Sequence, residues 1–146
     1  MSDLDSHPLA DTPGGPSVVE VRTSATAALI PTIRAVASDL AARADFDLDA
    51  ISDLRMAVDE ACATLVDVAA PSTMLQCTFT VYPEHIEVHA QVLGGTADAE
   101  VSTDTFGWRV LQTLADDVEA IRQIGVDHAA PTVGIRLDKR AGVPPR

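Results

Sequence analysis

Aromatic residues are scarce in this chain: one Trp, one Tyr and three Phe among 146 residues, 3% of the total. The interior therefore has to be assembled from Ala, Val, Leu and Ile rather than from stacked rings. Cationic residues are also few, 10 Lys and Arg against 22 Asp and Glu, for a net charge of -12. Such a balance opposes binding to nucleic-acid backbones or anionic lipid, which would be repelled, and favours a partner with a basic surface. No apolar run reaches the ~20 residues that a membrane-spanning helix requires. The opening MSDLDSHPLADTPGG lacks the basic and apolar regions of a secretory signal. The expectation is a cytoplasmic protein that contacts neither membrane nor nucleic acid directly. In that compartment Cys62 and Cys77 stay reduced; neither belongs to a CxxC pair or a zinc spacing, so both read as small buried hydrophobes.

Metal chemistry finds little support. His85 and His89 share a strand face but lie about 13 Å apart at the rise of an extended chain, whereas zinc holds its ligands at ~2 Å. The run DLDAISD is acidic but has neither the alternating oxygen ligands nor the central Gly of a calcium loop.

What is present is a globular composition, 47% apolar and 22% charged, in a length suited to one domain. Residues 1–16 read as a flexible arm rich in Asp, Pro and Gly, residues 17–139 as the domain, and residues 140–146 as a frayed tail. SVVEVRT (17–23) reads as a strand. Leu29, Ile33, Val36 and Leu40 recur at helical spacing, with Pro31 either in the first turn or kinking the helix. DFDLD breaks that helix and offers Asp47 or Asp49 as the next N-cap.

The second helix is expected over about 48–69. Ile51, Leu54, Val58, Ala61, Cys62 and Leu65 share its broad apolar face. Glu60 falls nearly opposite, with Asp53, Ala57, Thr64 and Asp67 around it. Past Pro71 the period changes from 3.6 to 2. Leu75, Cys77, Phe79 and Val81, then Ile86, Val88, Ala90 and Val92, alternate with polar residues around a turn at Pro83-Glu84, which predicts an antiparallel hairpin with one wet face. FGWRVLQTLADD reads as a third helix, DVEAIRQI as a weak strand and TVGIRLD as a clear one. The fold class is α+β, an α/β sandwich with helices on one face of a mainly antiparallel sheet.

In their order these elements resemble the RsbW-type anti-sigma factors of the GHKL superfamily of ATPases and kinases. The resemblance spans about residues 18–138. DLRMAVDEACATLV is similar to the N-box helix of that family, which reads AV-x-EA-x-TNA; TFGWRVLQTLADDVEA is similar to its glycine-box helix, and TVGIRLDK to its closing strand. The resemblance implies a Bergerat-type GHKL fold, and it implies that Glu60 stands where the family places its catalytic base. Thr64 then stands at the position of a magnesium-holding Asn, and can offer Mg²⁺ only a hydroxyl. In VLGGT, Val92 stands for the Asp that reads adenine, Gly94 keeps the first Gly of that motif and Thr96 replaces the second. Losing the Asp removes a charged hydrogen bond of about 1.5–3 kcal/mol. Gly107 keeps one glycine of the later box, while Thr105 replaces another. Arg34 aligns with an arginine that family members present to partners.

By the same resemblance the chain is a homodimer that sequesters an alternative, stress-response type sigma factor from RNA polymerase. A STAS-type anti-anti-sigma protein would then relieve it, and Mg-ATP would be bound weakly if at all. The alternative it implies is a serine/threonine kinase that phosphorylates this antagonist, with Glu60 as base.

Overall fold

The computed structural model describes residues 15–142. Five strands form one antiparallel sheet in the order β1-β2-β3-β5-β4. They are β1 (Ser17–Ser24), β2 (Met74–Val81), β3 (His85–Leu93), β4 (Asp117–Gln123) and β5 (Thr132–Arg140). Three helices complete the α+β layer: α1 (Ile30–Arg43), α2 (Leu48–Val68) and α3 (Phe106–Leu114). The N-terminal arm up to residue 14 and the last residues from 143 lie outside the described part.

Alternation decides which face of the sheet is covered. Leu75, Cys77, Phe79 and Val81 on β2 are all buried, as are Ile86, Val88, Ala90 and Val92 on β3, while the residues between them are half-exposed. Val133, Ile135 and Leu137 continue the same face on β5. Opposite this layer, Arg136 bridges Glu87, Glu119 and Asp117 at 3.1, 2.7 and 2.7 Å, so one cation binds β3, β5 and β4 together across the open face. These three carboxylates push its pKa up.

α1 carries Pro in its first turn, the first of the two placements the sequence allowed, since an N–H there has no helical partner to lose. The link to α2 turns at Asp45, whose φ of 61° is left-handed, and drives Phe46 into the core. Asp47 then caps α2 by accepting the Ala50 N–H at 2.7 Å.

α2 is more enclosed than its apolar stripe indicates. Leu54, Val58, Cys62 and Leu65 are buried over a sheet on which α2 touches β2, β3 and β5. Ala57, expected on the wet side with Glu60, is fully buried instead. The cause is that α1 and α3 both pack on α2 as well, so a second arc of the helix becomes interior. A small side chain there lets helix axes approach.

The basic end of β5 is also tied down. Lys139 reaches Asp53 at 3.3 Å, and the backbone N–H of Arg140 donates to Asp116 at 2.7 Å. Ala141 donates to the Glu84 carbonyl and accepts from Asp47, so residues 140 and 141 are structured rather than frayed.

Val88→Asp tests the covered face. Val88 stands between Phe79 and Leu137, and a carboxylate there should cost about 3–5 kcal/mol in urea unfolding, the scale of an uncompensated buried charge. Thr78→Lys, on the open face, should cost less than about 1 kcal/mol.

Candidate functional site

Glu60 sits on α2 where that helix meets α3, half-buried rather than free in solvent. Its carboxylate lies against the first turn of α3: a Cβ added at Gly107 would collide with Oε2. Gly107 is therefore where it is because the carboxylate approaches the helix backbone directly. Thr105, at a position the resemblance gives to glycine, is the N-cap of that same helix. Its hydroxyl accepts the Trp108 N–H at 3.1 Å.

Thr64 lies one turn beyond Glu60 and bonds back to it. The hydroxyl donates to the Glu60 carbonyl at 2.9 Å, with the Glu60 carboxylate at 3.4 Å. Its proton is thus committed within the helix, the usual arrangement for a threonine inside a helix.

Val92 is 2% exposed and faces the helices with the rest of the inner sheet surface. Gly94 follows it at the strand end, where its N–H donates to Pro131 and a Cβ would meet that of Ala99 at 2.7 Å. The loop therefore folds closely over this glycine. Thr96 is exposed, and its hydroxyl donates to Asp98 at 2.7 Å, a bond that lowers the pKa of that carboxyl.

The structure thus joins Glu60, Thr64 and Gly107 at the α2–α3 contact. Val92 and Gly94 belong to the end of β3, and Thr96 to the loop beyond it. A cavity of about 440 Å³ beside that loop is lined by Thr96 together with Asp67, Gly95, Asp98 and Glu100. A larger one of about 770 Å³ opens at the His85 end of the sheet, between Asp45, Asp47, Glu84 and Asp138, and none of the expected site residues lines it. Asp138 on its wall has its pKa raised, first by desolvation.

These side chains do not fit a magnesium nucleotide. The donor set reduces to one carboxylate held at a helix start and one hydroxyl already bonded to its own helix, and the adenine-reading position is an apolar core residue.

Arg34 is not a free surface cation. Its Nη1 donates to Asp59 on α2 at 3.0 Å, with both side chains 35% exposed. The second Asp59 oxygen is buried without a hydrogen-bond partner among the described residues. Asp59 escaped the sequence reading because only the packing of α1 on α2 brings it to Arg34. Arg122 was missed too. From β4 it donates to the Ala99 and Ala97 carbonyls at 2.9 and 2.7 Å, fastening the loop after β3. A charged residue in a weak strand carries no signal that a loop 23 residues earlier is its acceptor.

Residues 23–129 match the family model of the histidine kinase-like ATPase domain. Two curated relatives are the anti-sigma-F factors RsbW of Mycobacterium tuberculosis strains CDC 1551 / Oshkosh and ATCC 25618 / H37Rv. Each is 33% identical over 143 residues, covering 96% of this chain and 83% of the relative.

Burial of Val92 sets the outcome of restoring the adenine-reading carboxylate. Val92→Asp should lower stability by several kcal/mol in urea unfolding, since it buries a charge without a partner. Calorimetry should show no gain in ATP affinity. A stable variant that binds ATP would place this side chain in a cleft instead of the core.

Proposed function

The chain belongs to the RsbW-type anti-sigma factors of the histidine kinase-like ATPase family, and on that premise we propose that it binds and sequesters an alternative, stress-response type sigma factor. The complex would keep that subunit from RNA polymerase until a STAS-type antagonist displaces it. The acting species in this reading is a cytoplasmic homodimer. The observation that carries it is the likeness to two anti-sigma-F factors along 96% of the chain.

Charge supports the same reading independently. A net charge of -12 steers the protein towards the basic, DNA-contacting surface of a sigma subunit, and opposite potentials raise association rates. Arg34 is proposed to lie in the contact through the guanidinium edge that Asp59 leaves open. The kinase reading, with Glu60 as base and Mg-ATP as donor, finds no specific support: Thr64 and Val92 are both engaged by the fold itself.

With a cognate sigma factor the full chain should form a stoichiometric complex by light scattering without added nucleotide. Arg34→Ala should weaken it about tenfold, the scale of a contact worth 1–2 kcal/mol, and added salt should slow association. Asp59→Asn is the control, because it removes the ion pair but keeps the size of the side chain. An equal loss in that variant would mean that Arg34 acts through the packing of α1 on α2. No complex at micromolar concentration overturns the anti-sigma reading. Sub-micromolar Mg-ATP binding, with phosphate transfer lost in Glu60→Gln, would make the kinase reading primary.

A further inference from the structure

Where α2 crosses β2, two thiols face each other inside the core. Cys62 Sγ and Cys77 Sγ are 3.9 Å apart, and the two residues are 1% and 0% exposed. They are the only cysteines in the chain, and both are free. One comes from a helix and the other from a strand, so local sequence does not force the encounter.

A separation of 3.9 Å is van der Waals contact, while a disulfide holds its sulfurs at about 2.05 Å. Side-chain rotation and a small approach of α2 to β2 must supply the remaining distance. The two elements are already in contact, and both thiols point into the same layer.

We infer that Cys62 and Cys77 are a site of reversible disulfide formation by peroxide, which cross-links α2 to the central hairpin and alters partner binding. In the first step a Cys thiolate attacks hydrogen peroxide, the O–O bond breaks, and a sulfenic acid and one water result. The second thiol then attacks that sulfur, forming the S–S bond and breaking the S–O bond with loss of a second water. Two electrons pass from the sulfur pair to the peroxide, and both thiol protons leave in the waters. An added dithiol reverses the step by exchange.

The surroundings favour this product over others. A disulfide is neutral and without strong hydrogen-bonding demands, so it suits a core lined by aliphatic side chains. A sulfinic acid would bury a charge. Contact with Cys77 and burial push the Cys62 thiol up, which keeps the thiolate scarce. Reaction then waits on local opening, and the pair answers to sustained oxidant rather than to a brief pulse. The effect on partners rests on the anti-sigma reading: Asp59 and Glu60 are the near neighbours of Cys62 on α2, and a shift of this helix moves both.

The test treats the full chain with hydrogen peroxide, quenches it, unfolds it and alkylates free thiols before mass spectrometry. The expected result is a monomer lacking two hydrogens and taking up no alkyl group, with both thiols recovered by dithiothreitol. Its Tm should exceed that of the reduced protein by several degrees. Cys62→Ala and Cys77→Ala should each abolish the product. Should either fail to fold, the wild-type mass result still decides. Two alkylated thiols after the same treatment, or a sulfinic acid on one cysteine, would overturn the site. Binding of the cognate sigma factor is then compared between reduced and oxidised protein, with a severalfold loss expected. Equal affinities would overturn the effect on partners. No binding even by the reduced chain would overturn the anti-sigma reading, while the mass result still judges the disulfide.

Discussion

Helix α2 is approached from three directions, with the sheet beneath it, α1 along one side and α3 on the other. A helix so enclosed has to be narrow wherever another helix meets it, and Ala50, Ala57 and Ala61 are all buried along it. The same enclosure brings partners to its polar residues. Asp53 is drawn to Lys139, Asp59 to Arg34 and Glu60 to the first turn of α3. Each carboxylate on the inner margins of α2 has met a positive group or the positive end of a helix.

Enclosure also explains what has become of the positions that carry nucleotide chemistry in the family. Val92 fills the core, Thr64 bonds its own helix, Thr105 caps α3 and Gly107 makes room for Glu60. Every one of these residues has a complete structural role in the absence of a nucleotide. Arg122 fastens the loop after β3 to β4 through two backbone carbonyls.

Much of this architecture was legible in the sequence. Period-2 runs at 75–81 and 86–92 became β2 and β3 with the expected inward residues, and Asp47 proved to be the cap of α2. Periodicity reports a single boundary between wet and dry. It therefore located the stripe through Leu54, Val58 and Leu65 but put Ala57 on the wrong side, because the helices that pack on α2, α1 and α3, lie elsewhere in the chain. The partners of Arg34, Arg122 and Arg136 were hidden for the same reason. A salt bridge leaves no local pattern, and each of these cations finds its acceptors on other elements.

The pairing of β1 with β2 brings Ser17 opposite Val81, while β2 and β3 meet across a tight turn closed by the Tyr82 N–H and the His85 carbonyl. One contact is local in the chain and the other spans both long helices. Closing a hairpin takes microseconds, whereas long-range strand pairing must first overcome the entropy of the intervening loop. During synthesis SVVEVRT is made before its partner β2, and it waits unpaired while α1, α2 and β2 are completed. An apolar strand in that position can associate with other chains. Glu20 and Arg22 interrupt it with charge on the face that stays exposed after folding, as gatekeeper residues do in nascent strands. The protein thus carries protection against its own delay in assembly, written into β1 itself.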